Sequence, residues 1–530
     1  MPITIRDASS SCLLALMFAL AGCGGGYSSR SAEAPVARAY PPSQLAAPMP
    51  SGDAVATPEP VTAEHHADYG VNPFVETQRD RLSTFSIDVD TASYSFARRK
   101  LVQEDTLPPA ASVRAEEFLN SFDYGYPTPD AQEKVPFNVH FAAAPSPFAE
   151  GRHIVRIGAQ AKRVSIQERQ PVHLVYLVDV SGSMSSPERL PLAKKSLALL
   201  TDTLKPGDTV ALCTYAGSTR VVLEPTGIEH RAKILSGIAS LDAGGGTAMS
   251  SGVQMAYDLA SKTLVKGHLN RVVVLSDGDA NIGDSSHEQI LKTIEQHKNK
   301  GITLSTVGFG SGNYKDMMME QLADKGDGNY TYIDSEDEAR KVFTEQVDGL
   351  LQVVARDVKI QVEFDPSIVR RYRLIGYENR DIADRDFRND KVDAGEVGSG
   401  HSVTALYDVE LVNPKQIAAS PLVVRMRHKP AKNALHGGSD EAIESAFAMP
   451  ASAIHASFEE APESYRFAVA VGGFAEVLRK SPHAASVPLE NVERIAAAST
   501  QGRRERVELV GLVQKATKLA GKQRGAPIAR

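Results

Sequence analysis

Between Pro171 and Leu351 the chain alternates nearly continuous apolar runs with amphipathic segments, and this alternation limits its possible folds more than any other feature. HLVYLVDV (173–180), TVALCTYA (209–216), RVVVLSDG (271–278) and ITLSTVGFG (302–310) carry apolar side chains on both faces of an extended chain. Strands of a parallel sheet covered on both sides have this pattern. After the first run, Leu190, Ala193, Leu197, Leu200 and Leu204 recur at helical spacing behind Pro187, a residue suited to a first helical turn. The succession predicts a doubly wound α/β domain with a mainly parallel sheet over residues 171–352.

Open sheets of this kind bind ligands beyond the carboxyl ends of their strands, where the strand order reverses. Three polar clusters fall at such positions. The first strand runs into Asp179-Val180-Ser181-Gly182-Ser183, a DxSxS pattern; GGGT sets Thr247 just before a helix; a later strand ends in Ser276-Asp277-Gly278. Serine or aspartate after a strand is also a common turn or capping residue, but three clusters in this order resemble the metal-ion-dependent adhesion site of von Willebrand factor A (VWA) domains. The resemblance implies that Ser181, Ser183 and Thr247 give neutral hydroxyl oxygens directly to a hard cation. Asp179 and Asp277 would act through waters or by hydrogen-bonding the hydroxyls. Mg²⁺ fits such a set, with Mn²⁺ or Ca²⁺ as alternatives. A cation so weakly neutralised retains affinity for one more anionic oxygen, which a carboxylate of a protein partner can supply. Asp242, Asp279 and Asp284 nearby read as solvated loop acids.

The flanks extend the resemblance. NPFVETQRDRLSTFSIDVDTASYSFARRKL (72–101), LPPAASVRAEEFLNSFDYGYP (107–127) and LSDGDANIG (275–283) are similar to segments of a bacterial lipoprotein family with a VWA core, a family-specific N-terminal region and a C-terminal domain of unknown function. Here the N-terminal region is 69–135. Asp88 and Asp90, alternating on an apparent strand, read as a solvent-facing edge. Strand-like segments occur before the α/β domain, in 136–170, and after it, in 353–430. Two strands make no stable sheet alone, so both sets are expected to join in a β-sandwich-like domain into which the α/β domain is inserted. Residues 431–462 read as a connector and 463–530 as a small helical region, with Phe467, Val471, Phe474 and Leu478, then Leu509, Leu512, Val513, Ala516 and Leu519, at helical spacing. From Gln501 onward, eight basic residues against two acidic ones read as a solvated helix face.

The N-terminus sets the expected compartment. Residues 13–22, LLALMFALAG, are apolar but too short to span a bilayer. Leu20-Ala21-Gly22-Cys23 resembles the bacterial lipobox. This implies a signal peptide over 1–22, lipidation of Cys23 and a lipid anchor in the cell envelope, with Gly24 favouring the outer membrane; an ordinary cleaved signal is the other reading. Residues 23–68, rich in Ala, Pro and Ser, are expected to be a disordered tether spanning on the order of 35 to 40 Å. Of the three cysteines, only Cys213 lies in the expected folded part, so no internal disulfide framework is expected. With a net charge of −7, nothing asks for nucleic acid, and no small-molecule substrate is inferred. The chain carries no HExxH, GxSxG or P-loop motif. The reading is therefore a non-enzymatic binding or scaffold protein, with a metal-dependent hydrolase at the same site as the alternative.

Overall fold

The computed structural model describes residues 66–525 except 131, 166–167, 266, 279–283, 311–315, 415–419 and 432–440. The expected signal segment, Cys23, the expected tether up to residue 65, and Asp279 lie outside the described residues. The chain divides into two units, residues 1–59 and 60–530, and the described residues all belong to the second.

The N-terminal region forms β1 (Val75–Glu76), β2 (Leu82–Ser86), α1 (Ala92–Val102) and α2 (Ala115–Asn120), followed by the hairpin β3 (Phe137–Pro145) and β4 (Arg152–Ala161). The α/β domain comprises β5 (Val172–Asp179), α3 (Leu190–Asp202), β6 (Thr209–Tyr215), β7 (Thr219–Gly227), α4 (Arg231–Ala239), α5 (Met249–Lys262) and β8 (Leu269–Ser276). It continues through α6 (Asp284–Lys298), β9 (Ile302–Phe309), α7 (Asp316–Lys325), β10 (Tyr330–Ile333), α8 (Glu336–Arg340) and α9 (Val347–Leu351). After it come β11 (Val353–Phe364), β12 (Val369–Ile375), β13 (Val397–Gly398), β14 (Ser402–Leu411), β15 (Leu422–Pro430) and β16 (Ile443–Ala448). The chain closes with α10 (Glu463–Leu478), α11 (Leu489–Ala497) and α12 (Arg504–Gly525).

The central sheet has the order β10-β9-β8-β5-β6-β7. It is parallel except at β7, which pairs antiparallel with β6 at one edge. Every residue of β5 is buried, because one core closes over each face of the sheet. The strands legible in the sequence were the buried ones; β7, with a mixed burial pattern, and the four-residue β10 carry too little apolar signal. Helix α3 starts at Leu190, with Pro191 and not Pro187 in its first turn, because Arg189 takes a non-helical conformation, φ −117° and ψ −104°.

The strands on either side of this domain pair with one another. One sheet has the order β1-β12-β14-β4-β3; the other has β13-β11-β15-β16, with β2 also on β11. Both close over a common core that includes Phe85, Ile157, Ile360, Tyr407 and Met426. The α/β domain is thus inserted between β4 and β11 of a β-sandwich. The connector reading of 431–462 needs correction: β16 lies within it and pairs antiparallel with β15. AIESAFA has too few large apolar residues to announce a strand, and the edge of β15 supplies its pairing.

Helices α10 and α12 bury the residues expected to face inward, and they pack with α1 and α2 in a single core. Among the basic C-terminal residues Arg504 and Lys518 are exposed, as a solvated face requires, but Arg506 is not. Arg506 is fully buried, donates to the carbonyls of Ser499 and Asp123, and lies 4.7 Å from the centre of the Phe467 ring. Arg504 pairs with Asp337 at 2.5 Å, and Arg503 with Asp123 at 3.1 Å.

Asp88 and Asp90 are likewise not at a solvent edge; both are buried. Arg380, entering after β12, lies 3.4 Å from Asp88, 3.5 Å from Asp90, 2.9 Å from Glu320 and 2.8 Å from Asp324. Asp90 also accepts a 3.0 Å hydrogen bond from the backbone N–H of Tyr330. Burial, then the neighbouring Asp88, push the Asp90 carboxyl well above the usual range, and burial raises Asp324 as well. One guanidinium therefore ties the N-terminal region, α7 and the β-sandwich together. Removing it leaves buried carboxylates facing one another, so Arg380→Ala is expected to cost about 3–5 kcal/mol at pH 7. The loss should shrink toward pH 5. Carboxyls with raised folded-state pKa values bind protons there that the unfolded chain does not, so stability rises as pH falls through that window. Denaturant titrations of both proteins at the two pH values test this; a pH-independent loss contradicts it.

Candidate functional site: the polar cluster at the switch point

In the central sheet the chain leaves β5 toward β6 on one side and reaches β8 on the other, so the strand order reverses between β5 and β8. Asp179 ends β5 and Ser276 ends β8, which places the polar clusters at this crevice. Backbone hydrogen bonds draw the loops together. Val180 N–H donates to Tyr215 at 3.0 Å, Gly244 N–H to Val180 at 2.7 Å, and Gly182 N–H to Gly245 at 3.0 Å. A Cβ on Gly245, at φ +88°, would lie 3.3 Å from the Gly217 nitrogen, so the glycine suits both the turn and the close approach.

The side chains follow the loops. Asp179 is fully buried; one carboxylate oxygen accepts from the Ser181 backbone N–H and the other from the Ser276 hydroxyl, each at 2.9 Å. The hydroxyls of Ser181 and Ser183 share a 3.0 Å hydrogen bond. Asp277, buried, receives Arg189 Nη1 at 2.8 Å, and the same nitrogen donates to the Ser183 carbonyl at 2.5 Å. Thr247 is half-buried, two residues before α5, on the loop that the Gly244 and Gly245 hydrogen bonds hold against the DxSxS turn. Among the described residues, no three His, Cys, Asp or Glu side chains are grouped to hold a metal ion. What the crevice offers is hydroxyl oxygens and two carboxylates, a set suited to a hard cation.

Comparison with known proteins identifies the domains. The von Willebrand factor type A domain model matches residues 173–346, a model described as von Willebrand factor matches 60–156, and the model described as uncharacterized protein YfbK, C-terminal, matches 349–519. The chain thus carries a von Willebrand factor type A (VWA) domain, followed by a region that matches the YfbK C-terminal model. Uncharacterized protein YfbK of Escherichia coli is 41% identical over 349 residues, covering 65% of this chain and 60% of that protein. Uncharacterized protein sll0103 of Synechocystis is 25% identical, covering 43% of this chain and 54% of that one. The chain thus spans little more than half the length of these curated relatives. The solved von Willebrand factor type A structure from Catenulispora acidiphila is 18% identical, with a TM-score of 0.41, covering 73% of this chain and 91% of that one.

Within this VWA domain, burial raises the Asp179 carboxyl above its usual range, and the negative charge of Asp277 adds to the rise. The hydrogen bonds from Ser181 and Ser276 oppose it. Asp179 is thus met by hydrogen bonds, while the guanidinium of Arg189 sits at Asp277. Two of its residues escaped the sequence reading. Ser276 reads as part of the third polar cluster but with no role of its own there; it orients Asp179 and also accepts from the Gly278 N–H at 3.1 Å. Arg189 had no signal, since its arrival at Asp277 depends on where the N-terminus of α3 sits. Cys213, by contrast, is the buried small residue its sequence context implied, its thiol pushed up to about 12 by burial. Ser276→Ala strips a hydrogen bond from a buried carboxylate and should cost about 1–3 kcal/mol in urea denaturation without added metal; a loss under about 0.5 kcal/mol means Asp179 is oriented by the backbone alone.

Proposed function

We propose that this chain is an envelope-anchored binding or scaffold protein, in which Ser181, Ser183 and Thr247, backed by Asp179 and Asp277, hold a divalent cation. Mg²⁺ suits the set best, with Mn²⁺ or Ca²⁺ as alternatives. The observation that carries the reading is the meeting of hydroxyls and buried carboxylates from the DxSxS turn and the end of β8 at the sheet's switch point, with the backbone of the Thr247 loop bonded to that turn. When bound, the cation supplies a Lewis-acidic position that takes one further anionic oxygen. The chain's own groups then have distinct roles. The hydroxyls would offer it neutral oxygens, the carboxylates would act through waters or by hydrogen-bonding the hydroxyls, and one position would be left for a carboxylate side chain of a partner protein. Lipidation of Cys23 would anchor the chain to a membrane, with the outer membrane favoured, and residues 24–68 would serve as the tether.

The alternative, a metal-dependent hydrolase at the same site, needs a general base converging on the cation. Among the described residues, Ser276 and Arg189 bond to the cluster and neither is a base; burial, and then the charge of Asp179, push the nearby Tyr215 phenol well above its usual range, which unsuits it as one. No helix among the described residues is long and apolar enough to cross a membrane, so the described part supplies no helical pore.

The double substitution Ser181→Ala, Ser183→Ala is expected to abolish the rise in melting temperature on adding Mg²⁺ or Mn²⁺. Envelope proteins captured on the wild-type chain in Mg²⁺ should be lost both in EDTA and with Asp179→Ala. An unchanged metal-dependent shift in the double variant, or equal capture in all three conditions, rejects the reading.

A further inference from the structure

The second cationic group at the site belongs to the chain itself. Arg189 sets Nη1 2.8 Å from Asp277 Oδ2 and 2.5 Å from the Ser183 carbonyl, so one guanidinium bridges the DxSxS turn and the loop after β8. The pair is sheltered, with side-chain exposures of 18% for Arg189 and 1% for Asp277. Its seat is made by Gly310, just beyond β9. A Cβ at that position would lie 2.3 Å from Arg189 Nε, 2.5 Å from Cγ and 2.8 Å from Cδ, so the arginine stem occupies the volume a side chain would need. Gly310, at φ +80°, meets both demands at once, the left-handed backbone and the open face. The seat is braced from behind: the Gly310 carbonyl accepts from Arg99 of α1 and from the Tyr332 hydroxyl, and those two side chains bond each other at 2.6 Å.

We infer that Arg189 is a resident counter-cation which competes with the divalent ion for Asp277 and thereby sets the affinity of the site. The inference rests on the proposed cation reading and deepens it. Two like charges cannot both draw fully on one buried carboxylate. Without the divalent ion, the guanidinium neutralises Asp277 and keeps the crevice formed; when the ion enters, part of that pairing must be given up, and the remaining positive charge repels the ion. Both effects weaken binding, so Arg189 acts as a threshold on the divalent concentration at which the site fills. Were Arg189 only a strut for Asp277 and Ser183, removing it would loosen the site and weaken binding. The two roles predict opposite signs.

Calorimetric titration of the full chain with Mg²⁺ and with Mn²⁺ separates them. Arg189→Gln and Arg189→Met, the latter retaining most of the apolar stem against Gly310, should bind about tenfold more tightly than wild type, the scale of one charge-assisted hydrogen bond. Both should melt at lower temperature without metal and gain more on its addition. Arg189→Lys, which keeps the charge, should return the affinity toward wild type. Equal or weaker binding by Arg189→Gln and Arg189→Met, while wild type still binds, overturns the counter-cation role and leaves the cation site standing. Absence of binding in wild type and all three variants, each folded by circular dichroism, overturns both. Binding gained only in Arg189→Gln and Arg189→Met supports the inference in its strongest form.

Discussion

The constraint on which the rest depends is the burial of Asp179 at the carboxyl end of β5. A carboxylate taken out of water survives only if its lone pairs are met, and here the Ser181 backbone N–H and the Ser276 hydroxyl meet them from two different loops. Satisfying one buried group thus forces the end of β5 and the end of β8 together. The third loop comes in through the backbone, because Gly244 and Gly245 bond to Val180 and Gly182 and no side chain intervenes. The cluster's geometry is therefore a consequence of hydrogen-bond satisfaction among the chain's own groups.

The same logic, at larger scale, holds the domain to its base. The α/β domain leaves the sandwich after β4 and returns at β11, so both its ends are fixed within one pair of sheets. Arg380 adds a lateral tie, joining the N-terminal acids to α7. Arg98 of α1 adds another, donating to Asp334 at 2.7 Å and Glu338 at 2.8 Å while reaching Glu508 of α12 at 3.1 Å. The N-terminal region consequently touches the sandwich, the VWA domain and the C-terminal helices, and through Arg99 it reaches Gly310, under the stem of Arg189.

What was legible in the sequence was whatever writes itself into local periodicity. The β5, β6, β8 and β9 runs are apolar on both faces because both faces are covered, and the hydroxyl and carboxylate residues appear at once as interruptions of those runs. The helices α10 and α12 show their buried stripe. Long-range electrostatics left no such trace. Asp88 and Asp90 resemble any solvent-facing pair until Arg380, some 290 residues later, is brought to them. Arg506 resembles any helix-surface arginine until Asp123 and Phe467 close over it. Strand β16 has no strong pattern, since an edge strand takes its order from its neighbour.

By itself, then, the sequence determined the parallel core and the place of the polar clusters at strand ends, because both are written in apolar runs of a few residues and their interruptions; that the flanking strands join followed from the instability of two strands alone. Only the tertiary structure decided which charges neutralise which, that Ser276 serves Asp179, and that Arg189 stands at Asp277. Charges attract across any sequence separation, and which of them meet depends on how helices and loops are set against the sheet, a matter of three-dimensional packing that no short stretch of chain records.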